Sequence, residues 1–174
     1  MKWISHKAIT GAIIWGITTN PILTAASIIG STFPDWIETP PWAYSDKYKY
    51  LSQHRKGSHW FIPYAVAAIL AAILVVGTGT YHHIILHHIT NINSIFHYLH
   101  SNTIKYFIIN NTVLLGLFFL IGCLFHILED GITGKVPGLH IRKKIGVRLF
   151  KVGSIQEYTV VAAILLIVYF CMKV

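Results

Sequence analysis

Apolar residues along the chain gather into long stretches separated by polar connections. A helix crossing a bilayer needs about 20 mostly apolar residues. Three stretches reach or approach that length: 60–81 (WFIPYAVAAILAAILVVGTGTY), 106–128 (YFIINNTVLLGLFFLIGCLFHIL) and 158–172 (YTVVAAILLIVYFCM), the last being short for a full crossing. The N-terminal region differs. Two shorter apolar runs, 8–18 and 22–31, are split by Thr19-Asn20-Pro21. Proline breaks a helix and Asn-Pro favours a turn. This region is therefore either one kinked span or a hairpin of two half-length helices, which membranes allow where protein covers the turn. The expected fold is an all-α integral membrane protein, with three transmembrane helices plus an N-terminal helical hairpin or kinked span, forming a single domain over 1–174.

Charge sharpens this picture. The connection 33–58 carries Lys47, Lys49, Arg55 and Lys56, and the connection 131–154 carries Lys135, Arg142, Lys143, Lys144, Arg148 and Lys151. The connection between them, 82–102, has no Lys or Arg. Two spans separate the basic connections, so they share a side, and the positive-inside rule makes that side cytoplasmic. Only 11% of residues are charged and 54% are hydrophobic, whereas soluble domains average roughly 25% charge. The formal net charge is +8, and ten of the fourteen Lys and Arg residues sit in these connections, which suits anionic headgroups better than nucleic acid, for which no soluble basic domain is available. Cys123 and Cys171 lie inside apolar runs and read as small buried hydrophobes, with no disulfide framework. Lys2 and Lys7 flank the start, but no small-residue cleavage site closes the following apolar run, so a cleaved signal peptide is not expected.

Residues able to bind a metal collect on the side of the basic connections. Asp35 and His54 lie in the first connection, and His59 sits where it enters the next span, with Ser58 as a cap. His126 and Asp130 end the span 106–128 and its last turn, and Glu157 stands at the mouth of the final one. His6 joins them only if the N-terminal region is a hairpin, which favours the hairpin. His126 and Asp130 are four apart and share a helix face, so both can reach one ion. Glu129 points about 100° away and is not expected to join that ion. His54 and His59 suit a loop running into a helix, with Gly57 permitting the bend. The mixed nitrogen and oxygen set suits zinc first, then manganese or iron, over calcium or magnesium. Its size leaves room for one ion or two.

These motifs resemble the YdjM-like membrane-bound metal-dependent hydrolases over most of the chain. The matching pieces are Ser5-His6 with Gly11, Phe33-Pro34-Asp35, His54-Arg55-Lys56-Gly57-Ser58-His59, His126-x3-Asp130 followed by Thr133, and the stretch from Arg142 to Gly153-Ser154-Ile155-Gln156-Glu157. Where the family often carries a second acid two residues after the first, this chain has Ile37, with Glu38 one later. The resemblance implies a metal-dependent hydrolase by analogy with zinc-dependent phospholipase C, whose site also uses an HxxxD pair; it does not identify a substrate.

The combined expectation is an inner-membrane, multi-pass hydrolase. His6, Asp35, His54, His59, His126 and Asp130 would be its metal ligands. Glu157 would be a general base or second-ion ligand, or else a partner of Arg142 or Arg148, and Arg55 a phosphate clamp or structural pair. A site at headgroup depth favours a membrane lipid or a lipid-linked phosphate as substrate. Two rivals are a non-enzymatic metal-binding or transport protein and an interaction protein with a structural metal. The His-rich run His82, His83, His87, His88, His97 and His100 alternates with Ile84, Ile85, Leu86 and Ile89, which reads as an amphipathic interfacial segment. No nucleophile elbow, phosphate-binding Gly-rich loop, dinucleotide fingerprint or HExxH motif is present.

Overall fold

The N-terminal region folds as a hairpin. Helix α1 (Trp3–Thr18) ends where Thr19 adopts the left-handed conformation at φ 48°. Asn20 then caps helix α2 (Pro21–Gly30): its Oδ1 accepts from the Ile22 and Leu23 backbone N–H groups at 3.0 and 3.1 Å, and Pro21 takes the first helical position. Proline is suited there because its missing N–H would have no partner anyway. The two helices run back to back, and a Cβ on Gly11 would touch Ile28 Cδ1 at 3.0 Å. The start of α1 and the end of α2 therefore lie at the same end. The short helix α3 (Phe33–Trp36) follows there.

The structure is a computed structural model that describes residues 1–38, 45–46, 57–77 and 103–173, with the side chains of 103–110 excepted. His54, Arg55 and the run 82–100 lie outside the described residues. The long helix α5 (Thr103–Thr133) is central, packing on α2 and on helix α4 (Phe61–Gly77), and helix α6 (Ile155–Cys171) packs on α1. Within α5, Asn111–Thr133 is long and apolar enough to cross a membrane, with mean hydropathy 2.1 over its best window. Helices α4 and α6 are apolar but have 17 residues each, about 26 Å at 1.5 Å per residue against a hydrocarbon core of roughly 30 Å. Of the three expected spans, one meets the length criterion and two fall short. The fold is mainly helical, with one addition to the all-α expectation. Strands β1 (Val136–Pro137) and β2 (Lys144–Ile145) pair antiparallel beyond α5.

The chain leaving that small ladder finishes the long helix. The Val147 N–H donates to the Gly131 carbonyl at 2.8 Å and the Leu149 N–H to the Ile132 carbonyl at 3.1 Å, satisfying carbonyls the helix end leaves open. Gly146, at φ 148°, passes so close that a Cβ there would lie 1.9 Å from the Gly134 carbonyl oxygen. Helix α2 approaches α5 equally tightly. A Cβ on Gly30 would lie 2.0 Å from the Phe119 oxygen, and one on Gly122 would lie 2.1 Å from the Ser27 oxygen. The Ser27 hydroxyl donates to the Phe118 carbonyl at 2.9 Å across this crossing. Small residues at close crossings, with hydroxyls bonding across them, are how helices associate without a hydrophobic drive.

Burial is inverted relative to a water-soluble domain. Among the described residues, the largest fully buried side chains are His6, His59, His126 and Glu157. Val66, Ile69, Leu70, Ile73 and Leu74 on α4 are exposed, as are Leu166, Ile167 and Phe170 on α6.

Candidate metal centre

Four of the expected ligands meet where the hairpin, α3, the turn before α4 and the end of α5 come together. Asp35, His59, His126 and Asp130 each turn a ligand atom inward, all within 4.8 Å of one another. The two Nε2 atoms of His59 and His126 are 3.1 Å apart. Asp35 Oδ1 lies 3.3 Å from His59 Nε2 and 3.5 Å from His126 Nε2, while Asp130 Oδ2 lies 3.3 and 3.8 Å from the same two atoms. Zinc bonds of about 2.0–2.1 Å in tetrahedral geometry would set ligand atoms about 3.3–3.4 Å apart. The observed separations straddle that value.

Each ligand is anchored by its other polar atom. His126 Nδ1 donates to the Ser31 carbonyl at 2.7 Å, which requires the proton on Nδ1 and turns Nε2 inward. His59 Nδ1 pairs with the Ser58 hydroxyl at 2.9 Å. The Trp3 indole N–H donates to Asp35 Oδ2 at 2.6 Å. Asp130 Oδ1 accepts from the Met1 ammonium at 2.6 Å, which also reaches Thr133 Oγ1 at 3.1 Å. Such outer partners fix ring tautomer and ligand orientation in metal sites. The donor set and its supports fit a divalent transition ion. His59, His126 and Asp130 are almost wholly buried, whereas the Asp35 side chain is 20% exposed and marks the open side.

Electrostatics follows from this crowding. Burial would raise the Asp35 carboxyl, but hydrogen bonds and charges from His126 and His59 hold it far below the ordinary carboxylate range. Burial would lower His59, but the carboxylates of Asp130 and Asp35 outweigh it and raise the imidazole above its ordinary value. Opposite charges at this range favour both charged forms.

His6 stands beside the four. Its ring centroid is 4.1 Å from that of His126, and its Nε2 is 3.4 Å from Asp130 Oδ1. Its Nδ1 is held by Glu129 Oε2 at 2.5 Å. Glu129, which the helical angle turns away from the face shared by His126 and Asp130, is thus tied to His6. Three further supports have no counterpart among the residues singled out from the sequence: the Trp3 indole, the Ser31 carbonyl and the Met1 ammonium. An acid buried in an apolar helix was a signal for Glu129; a backbone carbonyl leaves none.

Glu157 is placed differently. Its Oε1 accepts from the Ser5 hydroxyl at 2.5 Å and the Lys2 N–H at 2.8 Å, and its Oε2 accepts from the Gly153 N–H at 2.7 Å. One carboxylate thereby ties the start of α1 to the start of α6, and it is not among the four convergent ligands.

In comparisons with known proteins, the profile described as YdjM inner membrane protein matches residues 1–173. Neither a curated protein nor a solved structure matches the chain.

Proposed function

Because the chain belongs to the YdjM inner membrane protein family, we propose that it is a membrane-embedded metal-dependent hydrolase acting on a phosphoester of a lipid or lipid-linked substrate. The observation carrying this reading is the convergence of two imidazole nitrogens and two carboxylate oxygens within 4.8 Å, the nitrogens lying 3.1 Å apart and 3.3–3.8 Å from the oxygens, with each ligand held from behind. His59, His126, Asp35 and Asp130 would hold the ion, zinc by preference for this donor set, with manganese or iron as alternatives.

A divalent ion there supplies Lewis-acid polarisation of a phosphoryl oxygen and acidifies water. The chain's own groups orient and shield. Ser31, Ser58 and Trp3 keep the ligand atoms turned inward. Asp35, at the exposed edge, faces the approaching substrate. Arg55, two residues before Gly57, would meet the phosphate as a planar fork, and His54 would add a ligand from the same stretch. Glu157 holds α1, and with it His6 and Trp3, against α6.

The membrane setting supports a lipid substrate. The apolar outer faces of α4 and α6 favour additional membrane-embedded helices beside α5. The exposed basic residues between α5 and α6 favour the cytoplasmic face for the site. The test uses protein purified in detergent. Elemental analysis should find bound zinc or manganese, and lipid phosphoesters in mixed micelles should be hydrolysed. His126→Ala and Asp130→Ala should abolish both. A folded, metal-free protein whose behaviour is unchanged by these substitutions would overturn the proposal.

A further inference from the structure

We propose that the chain holds a second divalent cation beside the first, between His6 Nε2 and Asp130 Oδ1, with Asp130 bridging the two ions and Glu129 orienting His6. The inference rests on the first ion's site as read above and adds a position that reading does not need.

Three observations carry it. First, the described residues contain three buried side-chain polar atoms without a hydrogen-bond partner: His6 Nε2, Thr10 Oγ1 and Glu129 Oε1. All belong to the α1–α5 region around His6, and Thr10 is one helical turn from His6. Buried polar atoms are nearly always satisfied, so such a group calls for an explanation, an unseen ion among them. Second, His6 is fully buried and its Nδ1 meets the Glu129 carboxylate at 2.5 Å. The carboxylate accepts, so Nδ1 donates and the Nε2 lone pair points away from Glu129. Metal-binding histidines are held in this way, with the second ring nitrogen donating to a carboxylate. Third, His6 Nε2 and Asp130 Oδ1 are 3.4 Å apart, which matches the ligand spacing of about 3.3–3.4 Å around a tetrahedral ion.

Asp130 completes the geometry. Its Oδ2 faces His59 and His126, while its Oδ1 faces His6. One carboxylate thus presents an oxygen to each position, as a bridging ligand does in paired sites whose ions lie roughly 3.5–4 Å apart. Glu129 Oε1, buried and without a hydrogen-bond partner, is a further donor on the residue that holds His6. The rival occupant of Asp130 Oδ1 is the Met1 ammonium at 2.6 Å. A single bound ion, with that ammonium retained, is the outcome that would overturn the proposal.

The experiment loads detergent-purified protein with zinc and counts ions per chain, then repeats the loading with manganese and records its paramagnetic resonance. The expected count is two, with a spin-coupled manganese pair. His6→Ala should lower the count to one and replace the coupled signal by that of an isolated ion. Glu129→Gln, which preserves shape, should weaken the second ion about tenfold or more while retaining the first. Melting curves of both variants establish that they fold. A wild-type count of one, or a count of two that His6→Ala leaves unchanged, overturns the second position and spares the first. A count of zero overturns both.

Discussion

The Nε2 atoms of His59 and His126 stand 3.1 Å apart although 67 positions separate them in the chain. Each ring is turned by a contact at its other nitrogen, to the Ser58 hydroxyl and to the Ser31 carbonyl. The two inward nitrogens therefore face each other by construction, with Asp35 and Asp130 closing around them. Between such groups a proton or a metal ion must sit to offset the repulsion of lone pairs.

A chelator should therefore destabilise the protein. An ion that binds the folded chain only, at a free concentration 100 times its dissociation constant, contributes about 2.7 kcal/mol. The melting temperature should fall in chelator and return when zinc is added. Melting curves in detergent with and without chelator check this, and indifference to both would count against an ion among these four residues.

The crossing of α2 and α5 should be as sensitive as the ligands. A Cβ at position 122 would collide with the Ser27 oxygen at 2.1 Å, so Gly122→Ala must push α2 away. The Ser31 carbonyl that orients His126 lies one turn beyond Ser27. The substitution should cost about 1–3 kcal/mol by overpacking and lower zinc affinity roughly 10–100-fold by disturbing that outer partner. Gly116→Ala is the control on the same helix. Nothing lies within 4 Å of its Cβ, and replacing a mid-helix glycine should stabilise by roughly 0.5–1 kcal/mol. Zinc titration and melting of both variants decide the matter; wild-type affinity in Gly122→Ala would refute the coupling.

Much of this site was legible in the sequence because its strongest signals are local. Four residues separate His126 from Asp130, and helical geometry alone puts them on one face. Asn20-Pro21 marks a break after α1 that the sequence leaves as a kinked span or a hairpin; the Asn20 cap and the return of α2 along α1 make it a hairpin, which brings His6 to Asp35 and its neighbours. Other features depend on long-range packing and left little trace. Glu129 looked misdirected because its angle was measured against His126, while its partner His6 comes from another helix. Ser154-x-x-Glu157 resembles a capping box, but that Glu157 would also receive Lys2 and Ser5 follows from how α1 packs on α6. The ladder β1–β2 has two residues per strand, too few to give a period.

Protons and metal should compete at His59. In the ion-free protein its imidazole is held above the ordinary 6.5 by Asp130 and Asp35, which outweigh burial. Stability from that raised value is fully present below pH 6.5 and is lost as the pH rises through the folded-state value. Zinc needs the neutral ring, so its binding releases protons and tightens as the pH rises. Metal-free protein should melt at lower temperature as the pH climbs above 6.5, while the zinc-induced gain in melting temperature grows. Calorimetric titration in buffers of different ionisation heat reads the proton release directly, and zinc binding without it would show that His59 is not a ligand.

Glu157 separates a clamp from a catalyst. Its carboxylate accepts from Ser5, Lys2 and Gly153 and is fully buried. Glu157→Ala leaves these donors without their acceptor, and the buried Ser5 hydroxyl, once unsatisfied, costs about 1–3 kcal/mol. Helix α1 should loosen from α6, and because α1 carries both His6 and Trp3, ion affinity should fall with stability. Glu157→Gln keeps the shape and one acceptor oxygen, so it should lose less stability and keep most of its ion affinity. Phosphoesterase activity should follow ion occupancy in both variants. A general base behaves otherwise: Glu157→Gln would abolish turnover at full occupancy and nearly unchanged melting temperature. Measuring all three quantities on the two variants distinguishes the roles, and an inactive, fully loaded, stable Glu157→Gln protein would return Glu157 to the reacting atoms.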